Sequence, residues 1–133
     1  MLKVSRKLND DVTVVAEGET QLDVFKQLAS LGEVFGEQCC QKCLARGKTV
    51  EAASNIEFRV RAVLDGKKTY EYPELSCKTC YAKFTFGQGD GGSLFPVRFE
   101  RKEKEYVRDA SGNKIPKGTK GWTIFNKTTG KEE

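Results

Sequence analysis

The 133-residue chain contains no histidine. Histidine is the side chain that most often acts as a general base near neutral pH, and it is also a common ligand in metalloenzymes. The adjacent acidic pairs Asp10-Asp11 and Glu132-Glu133 lie in a predicted turn and in the polar tail, where solvation explains them better than catalysis. We therefore expect a protein that is not an enzyme.

Apolar residues are scarce, and no long apolar run is present. Only 38% of the residues are apolar and 32% are charged, so the predicted core is thin for this length. The sequence has no run of 18 apolar residues and no signal-peptide pattern. Five cysteines, an odd number, do not suit a secreted disulfide scaffold. We expect a soluble chain in a reducing cytoplasm, without contact with a membrane.

What the sequence does contain is two Cys-x-x-Cys pairs, Cys40/Cys43 and Cys77/Cys80, separated by 33 residues. Each pair can place two thiolates on one side of a tight turn, and two such turns form the tetrahedral four-sulfur site that Zn²⁺ accepts. The spacing predicts a zinc ribbon, and four thiolates would leave no open position for a substrate. Redox chemistry of the thioredoxin type would need only one such pair.

Cys39 leaves the identity of one ligand open, because it also lies within reach of Cys43. The two-residue interval favours Cys40, since backbone N–H groups inside the turn can then hydrogen-bond the first sulfur. Cys39 in place of Cys40 remains the alternative.

Periodicity predicts the main elements. Alternating residues in 2–15 predict a hairpin, and an amphipathic pattern predicts a helix from about Thr20 to Phe35 that is capped by Thr20 with Asp23. Residues 56–64 alternate up to an Asp65-Gly66 turn, and the return strand leads into Cys77. We expect most of the following aromatic side chains to be buried: Phe58, Phe84, Phe86, Phe95 and Trp122.

These elements predict an α+β fold, with an antiparallel sheet that holds a Cys₄ zinc ribbon and with one packed N-terminal helix. We divide the chain into an N-terminal hairpin and helix (1–38), a zinc-ribbon sheet (39–99), and a charged loop, late strand and polar tail (100–133). Together they are expected to form one compact domain. The glycine-rich stretch 87–92 matches a dinucleotide fingerprint, but no helix follows it, so we interpret it as a connection between strands.

Positive charge is concentrated away from the N-terminus. Residues 1–38 carry four basic and seven acidic side chains, residues 39–97 carry nine and six, and residues 98–133 carry ten and six. Cations interleaved with aromatic rings on short strands are typical of single-stranded nucleic-acid binding. The candidate contacts are Arg59, Arg61, Tyr70, Tyr72, Lys83, Arg98 and Arg101. Glu57 and Glu71 could instead neutralise the two strand arginines across the hairpin.

The cysteine pairs, Phe58-Arg59-Val60-Arg61, Leu94-Phe95-Pro96 and the late Gly121-Trp122 together resemble a group of small zinc-ribbon early proteins of bacteriophages. The resemblance covers roughly residues 12–126. It implies Zn²⁺ held by Cys40, Cys43, Cys77 and Cys80, and non-catalytic binding of single-stranded DNA during phage replication or recombination in the host cytoplasm.

The chain departs from that group at three places: at Cys39, at Leu44 and Tyr81 (where glycine is common), and in the charged insertion 100–120. The insertion suggests the alternative function, a protein-interaction module that docks on or inhibits a host or phage enzyme.

Overall fold

Antiparallel strands and few helices make up the chain, so the predicted α+β class with antiparallel pairing is confirmed. The computed structural model describes all residues, Met1–Glu133, in two compact units, Met1–Gln38 and Cys39–Glu133, here called unit 1 and unit 2. None of the helices combines the length and the apolar character that a membrane span requires.

Unit 1 is a hairpin with one helix. Strands β1 (Leu2–Lys7) and β2 (Thr13–Gly18) pair antiparallel, and helix α1 (Gln21–Phe35) follows. The hydroxyl of Thr20 accepts a hydrogen bond from the Asp23 N–H at 3.1 Å, which confirms the predicted cap. Four apolar side chains of unit 1 are buried, two on β2 and two on α1: Val14, Ala16, Val24 and Val34.

Unit 2 begins with helices α2 (Gln41–Ala45) and α3 (Val50–Ala53). Its sheet has the strand order β3-β4-β5-β6, and β9 also pairs with β5. The bounds are β3 Ile56–Asp65, β4 Lys68–Cys77, β5 Lys83–Gln88, β6 Leu94–Pro96 and β9 Trp122–Thr123. A short 3₁₀ turn at Asp90–Gly92 precedes β6. The remaining residues form two small hairpins: β7 Arg101–Lys102 with β8 Glu105–Tyr106, and β10 Phe125–Asn126 with β11 Lys131–Glu132.

The predicted hairpin of β3 and β4 is confirmed, with a two-residue turn at Gly66 and Lys67. Gly66 has φ +64°, a conformation that favours glycine. Only residues 74–76 of β4 pair with β5. Residues 60–73 are therefore a ribbon of two strands, and residues 58–73 are here called the β-arm.

The expectation that Phe58 is buried is wrong, and its apolar neighbours on the same face of β3 are exposed as well. Phe58, Val60 and Leu64 are 51%, 64% and 73% exposed. These exposures show that no second layer covers this face of the arm. Alternation along a strand shows that its two faces differ, but it does not show that a second layer exists.

The core of unit 2 lies at the base of the arm. Leu75, Phe84 and Trp122 are fully buried together with three cysteines, which confirms the prediction for Phe84 and Trp122, whereas Phe86 and Phe95 are half-buried. The ring centroids of Phe84 and Trp122 are 5.6 Å apart. The polar tail forms the hairpin of β10 and β11, with Phe125 exposed.

Candidate metal centre and cationic face

The first cysteine pair lies at the start of a short helix. Cys40 precedes α2 and Cys43 lies within it, so the helical turn places both sulfurs on one side. The Cys40 N–H donates to the carbonyl of Ala53 at 2.8 Å, and the Cys43 N–H hydrogen-bonds the Cys40 sulfur. Gly47, at φ +76°, turns the chain away from the site.

The second pair follows the end of β4. The N–H groups of Thr79 and Cys80 hydrogen-bond the Cys77 sulfur, so the predicted donors inside the turns are present at both pairs. The turn closes through the Tyr81 N–H, which donates to the Cys77 carbonyl at 2.8 Å. Tyr81 adopts φ +65°, in the left-handed region where glycine costs least, so the tyrosine at this position is strained relative to glycine.

Direct hydrogen bonds join the second turn to the neighbourhood of the first. The Lys78 N–H donates to the carbonyl of Asn55 at 2.8 Å, and the Thr79 hydroxyl donates to that of Ala52 at 2.8 Å. Both acceptors lie in or directly after α3. The two cysteine turns are thus held together by the backbone as well as by their sulfurs.

The sulfurs of the four predicted ligands form one cluster. The Sγ atoms of Cys40 and Cys80 are 3.5 Å apart, those of Cys43 and Cys77 are 3.6 Å apart, and all four lie within 4.8 Å of one another. Cys80 is half-buried and the other three are buried. This cluster can hold a metal ion. Cys39 packs half-buried against the same core but is not a member of the cluster.

Burial and mutual proximity oppose negative charge on several of these thiols. Burial, together with the neighbouring thiols, raises the pKa of Cys40 strongly and that of Cys43 to about 11. At Cys77, burial also raises the pKa, but the N–H donors of Cys80 and Thr79 outweigh it, so the pKa is lowered. Several thiolates this close together would need a cation to compensate their charge.

Above the cluster, one face of the β-arm combines arginine and tyrosine. In the register of the hairpin, Arg61 lies opposite Tyr72 and Val63 opposite Tyr70, and Arg59 lies two residues from Arg61 on the same face. The Arg61 guanidinium carbon is 5.1 Å from the centroid of the Tyr72 ring. The structure thus brings four predicted contacts together on an exposed surface, here called the cationic face: Arg59, Arg61, Tyr70 and Tyr72.

The acidic partner of this face is Glu74, which sequence reasoning missed. Glu74 is 3% exposed, and its two carboxylate oxygens lie 4.0 Å from the Nε atoms of Arg59 and Arg61. The two residues that we considered are engaged elsewhere: Glu57 pairs with Lys78 at 3.6 Å, and Glu71 lies on the opposite face, across from Ala62. Counting back from the Asp65-Gly66 turn would have placed Glu74 opposite Arg59.

The remaining predicted contacts are dispersed. Lys83 is half-buried at the base of the cationic face, where it pairs in register with Ser76. Arg98 is on the other side of the sheet: its guanidinium carbon lies 4.9 Å from the Phe84 ring centroid, and it donates to the carbonyl of Lys120 at 2.9 Å. We therefore assign Arg98 to the packing of the core.

Arg101 belongs to a second group of cations and rings. It lies 5.1 Å from the ring centroid of Phe95 and 5.8 Å from that of Tyr106, while the Lys114 ammonium lies 4.1 Å from the Tyr106 ring. The Phe95 ring occupies the space where a Cβ of Gly87 would be, so this position of the glycine-rich stretch has a packing role. The charged insertion is thus partly ordered by its own cation–ring contacts.

No protein-family model, curated protein or solved structure matches this chain.

Proposed function

We propose that Cys40, Cys43, Cys77 and Cys80 bind Zn²⁺ as a structural site. A tetrahedron with Zn–S bonds of about 2.3 Å has S···S edges of about 3.8 Å. The distances of 3.5 and 3.6 Å are already close to this value. The N–H donors to the first sulfur of each pair suit thiolates that share one cation, and four sulfurs leave no position for a reacting water.

We further propose that unit 2 binds single-stranded DNA without catalysis, through the cationic face. The observation that carries this proposal is the arrangement of Arg59, Arg61 and the Tyr70 and Tyr72 rings on one exposed face of a ribbon that is anchored at the metal centre. Guanidinium groups contact phosphates, and tyrosine rings stack on unpaired bases at about 1–3 kcal/mol per base. Duplex DNA keeps its bases stacked on each other, so it would use only the cations.

A role in phage replication or recombination, in the host cytoplasm, stays part of this proposal. It depends on the resemblance described above, whereas binding of DNA can be tested on the isolated protein.

The test is a fluorescence-anisotropy titration of the zinc-loaded protein with single-stranded and duplex oligonucleotides at two salt concentrations. We expect the single strand to bind more tightly and affinity to fall as salt rises, because phosphate contacts release counterions. In the double variant Arg59→Gln/Arg61→Gln, the slope of log K against log salt should fall by about 1.4, since each lost single-strand phosphate contact contributes about 0.7.

The matched control is Lys127→Gln/Lys131→Gln, which removes the same charge from the C-terminal hairpin. The proposal fails if both double variants change the binding equally, if affinity is independent of salt, or if duplex binds as tightly as the single strand. Neutral glutamine is used because a glutamate at position 59 or 61 would face the buried Glu74.

A second candidate function is a protein-interaction module that docks on or inhibits an enzyme. The exposed apolar face of the arm, with Phe58, Val60 and Leu64, favours this candidate independently of the charged insertion. A partner captured from host lysate that survives nuclease treatment, and is lost on Val60→Ser/Leu64→Ser, would support it. DNA binding lost on the arginine substitutions, with no such partner, would decide against it.

A further inference from the structure

The outer edge of β3 carries backbone groups that no strand of the sheet uses. β3 is the first strand in the order β3-β4-β5-β6, so β4 is its only neighbour. Asp65 and Lys68 close the two-residue turn and form a hydrogen-bonded pair. Because such pairs alternate, the odd-numbered residues of β3 bond to β4, and Val60, Ala62 and Leu64 direct their N–H and C=O groups outward.

Two contacts on the far side of β4 agree with this assignment. The Glu71 carbonyl, across from Ala62, accepts a hydrogen bond from the Gln88 side chain at 2.6 Å and therefore faces away from β3. The Thr85 carbonyl accepts from the Val97 N–H at 3.0 Å, so it faces away from β4. The backbone groups of Glu74, which lies opposite Thr85, therefore point toward Arg59 on β3.

The two edges of the β-arm differ. The outer edge of β4 is protected: Pro73 has no N–H to offer there, and Gln88 caps Glu71. The outer edge of β3 contains no proline and no lysine over its ten residues. Its charged residues, Glu57, Arg59, Arg61 and Asp65, oppose pairing wherever like charges meet, so this open edge suits a partner strand of complementary charge.

We propose that this partner is a second copy of the chain, with the two β3 strands paired antiparallel about Ala62. In this register Arg59 lies opposite the partner's Asp65, at both ends of the pair, and Val60 lies opposite the partner's Leu64. Arg61 lies opposite the partner's Val63. Opposite charges directly across an antiparallel pair stabilise it, and β-branched and aliphatic pairs add to this.

The neighbouring registers are excluded by charge. A register centred on Arg61 would place the Arg61 residues of the two copies opposite each other and Glu57 opposite Asp65. A register centred on Val60 would place Arg59 opposite Arg61. Centring on Arg59 places Arg59 against itself. Among registers without like charges directly opposite, the register centred on Ala62 has the longest overlap, residues 59–65 on each copy. Shifts by an odd number of residues would leave the outward N–H groups without acceptors.

The pairing would also support the arm itself. A ribbon of two strands is marginally stable in water, and joining two arms gives a four-stranded sheet. The two-fold axis lies perpendicular to the sheet, so both cationic faces point to the same side.

The test is the mass of the zinc-loaded protein in solution, measured by sedimentation equilibrium over a range of concentrations, with Ala62→Pro as the variant. Proline at position 62 removes an outward N–H but none of the bonds to β4. Two such donors are lost per dimer, so the dimer should weaken about 10- to 100-fold. Ala62→Thr, which keeps the N–H and suits a strand, is the matched control and should stay dimeric.

A second measurement needs no variant. Hydrogen exchange of the backbone amides should slow with protein concentration at Val60, Ala62 and Leu64, whereas Arg61 and Val63 should be protected at all concentrations. A wild-type protein that stays monomeric, a dimer that Ala62→Pro leaves unchanged, open-ended assemblies, or equal concentration dependence at odd and even positions would each overturn the proposal. DNA binding by a monomer would leave the proposed function intact.

Discussion

Removal of the metal should unfold unit 2, because the sulfur cluster forms a large part of its core. Of the eight buried residues in that core, three are cysteines and two are alanines, which leaves Leu75, Phe84 and Trp122 as the large apolar side chains. Full burial of a side chain such as Leu75 or Phe84 contributes about 1.5–3 kcal/mol. A structural Zn²⁺ site contributes about 10–16 kcal/mol at neutral pH, so the metal is the larger contribution.

The fluorescence of Trp122 reports directly on the unfolding of this core. Trp122 is the only tryptophan of the chain and is fully buried, and its ring centroid lies 5.6 Å from that of Phe84. Addition of a strong chelator to zinc-loaded protein should shift its emission to longer wavelength as zinc is released, with one zinc per chain in the released pool. Readdition of zinc should restore the emission.

The matched variants are Cys43→Ser and Cys39→Ser. Cys43→Ser removes a ligand from the cluster and should give the shifted emission even without chelator, whereas Cys39→Ser should bind zinc and keep the native emission. The reasoning is refuted if stoichiometric zinc is released while Trp122 emission stays unchanged. It is refuted also if the purified protein never binds metal, or if Cys39→Ser abolishes zinc binding.

Two further substitutions test particular contacts. Glu74→Gln removes the carboxylate that lies 4.0 Å from both arginines of the cationic face. Single-stranded DNA should then bind roughly two- to fivefold more tightly at low salt. Weaker binding in the anisotropy assay would contradict the proposed role of the face. Tyr81→Gly should stabilise zinc-loaded unit 2 by about 1 kcal/mol in denaturant unfolding. The reason is that Tyr81 is 77% exposed and its backbone lies in the left-handed region at φ +65°. Tyr81→Ala, which keeps a Cβ, should give no such gain.

Local features of this fold could be predicted from the sequence, and features that depend on distant parts of the chain could not. The Thr20 cap and the Asp65-Gly66 turn follow from a few adjacent residues, and the cysteine spacing predicted the sulfur cluster. The register from the turn to Glu74 could have been counted as well. By contrast, the exposure of Phe58 depends on whether another part of the chain packs over that face of β3, which no local pattern encodes.

The packing of Arg98 could not be predicted for the same reason. Its basic, aromatic-flanked context suggested a surface contact, but Phe84 and Lys120, which it contacts, lie 14 and 22 residues away along the chain. Contacts of this kind are set by the closing of β9 onto β5.

The point where the β-arm begins has a mechanical consequence. Ile56 lies opposite Cys77, so one strand starts, and the other ends, beside a sulfur of the cluster, and ten residues at about 3.4 Å each carry the tip some 30 Å outward. A force applied at Gly66 would therefore act through the arm on the cage formed by the four sulfurs. Cobalt substituted into that cage, whose visible absorption reports the angles between its sulfur ligands, would register events at the distant tip as a change of colour.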